Sequence, residues 1–187
     1  MLVILAVVCT ALNTGCRRGE LLALKWSDLD EELSKLKIER SLIYDKEGYG
    51  FTILKTGTSV RSIKIGESLL KELKLWKAHQ NQLKMALKKS YVDEGFIFTT
   101  QTGKPIYPRS LTFEFNKAIE ESNVSKIRFH DLRHTHATLC LEAGMSLKEV
   151  QDRLGHSSIK TTGAVYAHVT ENMKEKSVEL FEKYVSN

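Results

Sequence analysis

The stretch Phe129-His130-Asp131-Leu132-Arg133-His134-Thr135-His136-Ala137-Thr138-Leu139-Cys140-Leu141-Glu142-Ala143-Gly144 decides the reading of this chain. From Asp131 onward it carries helix spacing, and Gly144 stands where a helix is closed. His130 and Arg133 are three apart, so they share a face at the start of that helix. A helix start offers free backbone N–H groups and a positive dipole end. An arginine there presents a two-pronged fork to phosphate oxygens. The combination is suited to holding a phosphate.

Working outward, two more segments collect polar residues beside turns. Thr14-Gly15-Cys16-Arg17-Arg18-Gly19-Glu20 follows an apolar helix expected over residues 2–13. Leu154-Gly155-His156 follows a helix expected over Leu147 to Leu154, with Ser146 and Glu149 as its capping box and Gly155 as its stop. Tyr166 comes ten residues later. Lys55 stands at a turn, Thr56-Gly57-Thr58-Ser59, between two period-two runs. A second guanidinium from Arg17 could share the phosphate of Arg133, and such a pair suits the extra charge of a five-coordinate phosphorus.

Each of these residues also has a plainer reading. An arginine such as Arg17 can be a surface residue or the ion-pair partner of Glu20. His130, His134 and His136 raise the question of zinc. A metalloprotease helix needs His-Glu-x-x-His, whereas Asp131 follows His130 and Arg133 would put a cation beside the metal. Tyr166 alone could be a packed aromatic.

The rest of the chain supplies the frame. The period-two pattern from Lys35 to Ile65 predicts a small antiparallel sheet. Further helices are expected over Glu20 to Trp26, Glu67 to Ser90, Arg109 to Ser122 and Glu171 to Val185. Phe96-Ile97-Phe98 reads as a short buried segment. The fold class is therefore α+β, mostly helical, with the sheet near the N-terminal part.

With 187 residues, 42% hydrophobic and 27% charged, the chain is one domain long and has the balance of a folded protein. The net charge of +5 allows a polyanionic partner without requiring one. Three cysteines, with no Cys-x-x-Cys pair, point away from a disulfide framework and towards a reducing, cytoplasmic compartment. The apolar run from Met1 to Leu12 is too short to span a bilayer and lacks a basic n-region.

Four stretches together resemble the catalytic domain of the tyrosine recombinases, the phage integrase family. They are ALNTGCRRGELLALKWSDLD (11–30), LKTGTSVRSIKI (54–65), FHDLRHTHATLCLEAG (129–144) and RLGHSSIKTTGAVYAHV (153–169). The resemblance runs from Ala11 to Val169 and is nearest to integrases of phages and conjugative transposons. It implies site-specific recombination, the integration or excision of a mobile element, through a 3′-phosphotyrosine link. It assigns Tyr166 as nucleophile, Arg17 and Arg133 as stabilisers of the phosphorane-like charge, and Lys55 as general acid. It assigns His130 as general base, His156 as a phosphate hydrogen-bond donor and Glu20 as a supporting acid. In Thr-Gly-x-Arg-x-Gly-Glu the catalytic arginine falls two after the glycine, which selects Arg17 over Arg18. Gly163 departs from the family pattern before Tyr166 by replacing a helix-favouring residue.

The resemblance further implies no metal and no other cofactor. The implied partners are double-stranded DNA at a specific attachment site and three further copies in a synaptic tetramer. Host DNA-bending and directionality proteins complete the set, with no membrane. It implies a bacterial, phage or mobile-element origin. It also leads us to expect that 1–187 is a single catalytic domain, with the N-terminal core-binding and arm-binding domains absent. Residues 171–185 are then a C-terminal helix that packs in cis or against a neighbouring subunit. Two alternatives stand beside the recombinase reading: type IB topoisomerase-like relaxation by the same chemistry, which the flanking residues disfavour, and a non-catalytic DNA-binding regulator, against which the intact set of Arg17, Lys55, His130, Arg133, His156 and Tyr166 speaks.

Overall fold

The structure is a computed structural model, and it describes residues 2–46, 48–54 and 59–156. Lys55, Tyr166 and the 171–185 segment lie outside the described residues.

Helix α1 (Leu2–Thr14) is apolar along most of its length. Its buried threonines satisfy themselves locally: Thr10 Oγ1 donates to Ala6 O at 2.7 Å and Thr14 Oγ1 to Thr10 O at 2.6 Å. Gly15 ends the helix at φ +63°, and its N–H donates to Ala11 O at 2.8 Å. The short α2 (Arg18–Leu22) follows, then a 3₁₀ turn over Trp26–Asp28. The helix expected over Glu20 to Trp26 is thus shorter and starts earlier. Asp28 explains the break: its carboxylate accepts from the Lys25 N–H at 2.7 Å and pairs with Arg40 at 2.6 Å.

Among the described residues the strands form two antiparallel sheets, where one was expected. In the first, β1 (Leu29–Asp30), β2 (Lys35–Ile38) and β5 (Arg61–Lys64) lie in the order β1-β2-β5. In the second, β3 (Arg40–Asp45) pairs with β4 (Gly48–Ile53). The two runs either side of the 56–59 turn are therefore not each other's partners. β5 returns to β2, with Leu36 opposite Ile63, and the β3–β4 hairpin is inserted between them. Burial explains this choice. Leu36, Ile38 and Ile63 are buried, whereas no residue of β4 is.

Helix α3 (Glu67–Leu87) lays Leu69, Leu73 and Trp76 onto the core, and a 3₁₀ turn over Lys88–Ser90 follows it. Its buried Gln80 links the Trp26 indole to the Phe96–Thr99 segment, with 2.9 Å to Ile97 O and 2.8 Å to Thr99 Oγ1. Phe96, Ile97 and Phe98 are buried as expected. Helix α4 (Pro108–Glu121) contributes Leu111 and Phe115.

Helix α5 (Asp131–Glu142) joins two apolar clusters. Leu132 belongs to the main core, while Ala137, Cys140 and Leu141 pack with Val150 and Leu154 of α6 (Leu147–Leu154). The capping box of α6 is present, with the Ser146 N–H donating to Glu149 Oε2 at 2.7 Å, and Gly155 closes the helix at φ +68°. Cys9, Cys16 and Cys140 are free thiols. Among the described residues, no helix is long and apolar enough to cross a membrane.

Candidate active site

The last carbonyls of a helix have no partner within it. At the end of α6, three of them in succession are taken by arginines from elsewhere in the chain. Arg61 Nε donates to Arg153 O at 2.8 Å, Arg133 Nη2 to Leu154 O at 2.8 Å, and Arg17 Nη2 to Gly155 O at 3.4 Å. The helix's negative end favours these cations. Arg133 also donates to Gly15 O, so one guanidinium ties the end of α1 to the end of α6.

Glu20 is the carboxylate of this cluster, and it is 1% exposed. Its Oε1 accepts from Arg17 Nη1 at 2.8 Å; its Oε2 accepts from the Arg17 N–H at 2.9 Å and from Arg61 Nη2 at 2.8 Å. Burial pushes its pKa up, but the bonds and charge of Arg61, joined by those of Arg17, outweigh it and hold Glu20 below the usual value. The plainer reading of Arg17, as the partner of Glu20, therefore holds alongside its place at the end of α6.

Arg18 is directed elsewhere: its Nη1 donates to Thr112 Oγ1 on α4 at 2.9 Å. Of the adjacent arginines, Arg17 is the one in the cluster.

His156 directly follows the capping Gly155. Burial, then Arg133, Arg17 and Arg61, lower its pKa to about 4, so the ring is neutral near pH 7. His130 stands at the N-cap of α5 with its ring 5.1 Å from that of His134, edge to face. Desolvation, then His134 and Arg133, lower its pKa as well. Arg133 itself is 4% exposed, and burial, followed by Arg17, brings it down to about 10. It stays a cation.

The structure thus brings Arg17, Glu20 and Arg133 to the helix end that bears His156, and places His130 three residues before Arg133 at the start of α5. Lys55 and Tyr166 fall outside the described residues. The three histidines weighed for zinc do not converge. His136 turns inward, with Nδ1 2.7 Å from Leu12 O and Nε2 accepting from Arg153 Nε at 3.1 Å. Among the described residues no group of three potential ligands could hold a metal ion.

The sequence reading missed Arg61. A signal was available: Arg61 shares strand parity with the buried Ile63 and Ile65, so a charged residue was aimed inward.

The sequence profile of the phage integrase family matches residues 2–173. The chain belongs to the phage integrase family. It is 36% identical to a XerC-like tyrosine recombinase of Caldanaerobacter subterraneus subsp. tengcongensis, covering 93% of this chain and 48% of that protein. It is 39% identical to an integrase of Staphylococcus phage L54a, covering 92% and 49%. Among solved structures, the Tn1549 transposon integrase in complex with transposon right end DNA superposes with a TM-score of 0.73 at 28% identity. That match covers 93% of this chain and 57% of the other. The chain spans about half the length of the relatives it matches. These integrase-family relatives share its α+β fold class, mostly helical with a small antiparallel component.

Proposed function

We propose that this chain carries the chemistry of site-specific DNA recombination, cleaving and rejoining a strand through a 3′-phosphotyrosine link. The observation that carries the reading is the seating of Arg17 and Arg133 on the adjacent carbonyls of Gly155 and Leu154, beside His156. Two guanidiniums fixed before substrate arrives need no reorganisation when charge builds on phosphorus.

The steps follow from the groups. The Tyr166 oxygen attacks the scissile phosphorus and forms the O–P link, while the bond to the 5′ oxygen breaks. The tyrosine proton passes to His130, whose lowered pKa suits a neutral acceptor. The leaving 5′ oxygen takes a proton from Lys55. His156, neutral, donates its ring N–H to a phosphate oxygen. A 5′ hydroxyl of a second strand reverses the sequence. The link conserves the bond energy, so no metal or nucleotide enters the scheme.

The proposed partner is double-stranded DNA at an attachment site, in a tetrameric synapse assisted by DNA-bending and directionality proteins. The DNA part is supported by the solved complex of the Tn1549 transposon integrase with its transposon end. The whole chain, 1–187, serves in this scheme as one catalytic domain.

A nicked suicide duplex, chosen by wild-type binding from a random-sequence pool, tests the reading. It should trap a covalent protein–DNA adduct that survives denaturant. Absence of any adduct overturns it. Supercoil relaxation without strand exchange would assign topoisomerase activity instead.

A further inference from the structure

Arg61 is the cation of this cluster that the sequence reading did not assign and the reaction scheme does not use. Its side chain is 6% exposed. Its donors go to protein groups on every side: Nε to Arg153 O at 2.8 Å, Nη1 to Ser59 O at 3.1 Å, and Nη2 to Glu20 Oε2 at 2.8 Å and Cys16 Sγ at 3.6 Å. A guanidinium so engaged is not arranged to receive a phosphate. What it touches is instructive. Glu20 holds Arg17, Arg153 stands three residues before His156, and Ser59 stands four residues after Lys55. One planar fork thus reaches the supports of two assigned residues, Arg17 and His156.

We propose that Arg61 is a positioning residue for the cleavage reaction, acting through Glu20 to fix Arg17 and through Arg153 O to fix the helix end that bears His156. The inference rests on the recombinase reading above. Without Arg61, Oε2 of a carboxylate that is 1% exposed loses its side-chain partner. The carboxyl then takes up a proton more readily, and Arg17 loses the charge that aims it. Lysine cannot replace the fork, since one ammonium does not serve three planar acceptors.

The experiment is a double-mutant cycle with E20Q, read as the single-turnover rate of adduct formation on the nicked suicide duplex. R61Q should slow the rate about 100-fold while changing duplex affinity less than threefold. In the E20Q background the same change should cost about tenfold or less, because the path through Glu20 is already cut and only the path through Arg153 O remains. R61K should recover less than a tenth of the lost rate. The rate–pH profile of R61Q should show its acid limb moved to higher pH, which a purely structural role would not produce.

If R61Q does not fold, R61K takes its place in the cycle. Failure of both to fold overturns the proposal and makes Arg61 a folding determinant. Rate losses that multiply in full across the cycle, or an R61Q rate within threefold of wild type, also overturn it. A wild-type chain that forms no adduct removes the recombinase reading itself, and the inference with it. An active wild type with independent losses removes only the inference.

Discussion

Arg133 Nη2 donates to the Leu154 carbonyl at 2.8 Å, so a guanidinium on α5 is fastened to the helix end that precedes His156. The same side chain reaches Gly15 O. Arg133→Lys keeps the charge but cannot span both carbonyls with a planar fork. Adduct formation on the suicide duplex should fall at least ~100-fold. Thermal melting should also drop, since two buried carbonyls lose a donor. A lysine variant cleaving within tenfold of wild type would show that the fork geometry is dispensable.

Tyr166→Phe should abolish covalent capture while duplex affinity stays within threefold, because only the attacking oxygen is removed. Denaturing gels score the adduct and equilibrium titration scores binding. Chelation with EDTA should leave the wild-type adduct yield unchanged. A metal-dependent loss would favour a nuclease mechanism.

Gly15→Ala should destabilise the fold by about 2–4 kcal/mol. The added Cβ would sit 2.4 Å from Leu154 Cδ2 and 2.6 Å from His136 Cδ2, at a backbone φ of +63°. Gly15 is also where Arg133 is anchored, so activity should fall along with the melting temperature. Urea unfolding measures the first effect. A loss below ~1 kcal/mol would mean that α1 and α6 separate freely.

The histidines give a pH dependence with a defined sign. Burial, chiefly, lowers His136 to about 4, against the ordinary histidine value of 6.5. Between those two values the unfolded chain binds the proton and the folded chain does not. Stability is therefore fully present above about pH 6.5 and is lost as pH falls towards 4. For His136 the loss is on the order of 3 kcal/mol. Urea titrations at a series of pH values should show the decline, and His136→Gln should flatten it. Proton NMR should place the His136 and His156 midpoints near 4. A His136 midpoint above 6 would contradict its bond to Arg153.

The sequence was most legible where the determinants are local. Ser146, Glu149 and Gly155 define α6 within eight residues, and the structure has the helix at Leu147–Leu154. Asp131 to Gly144 was equally clear. The pairing of β5 with β2 was not, because alternation says which face a residue takes and not which strand lies beside it. The end of α2 was obscured by Asp28, whose partner Arg40 is twelve residues away. In the candidate site, Arg17, Glu20, His130, Arg133 and His156 could be named from motifs, and the structure joins Arg17, Glu20 and Arg133 at the helix end before His156. Arg61 could not be named so easily. Its meaning lies in a carbonyl 92 residues along the chain and a carboxylate 41 residues back.

The arginines at the end of α6 also bear on how the molecule comes apart. Fraying of that helix would strip the carbonyl partner from Arg17, Arg61 and Arg133 together. Local opening and loss of competence are then one event rather than two. Amide exchange along α6 should consequently report the fraction of molecules ready to react, and a ligand that grips the phosphate site should slow that exchange without touching the helix.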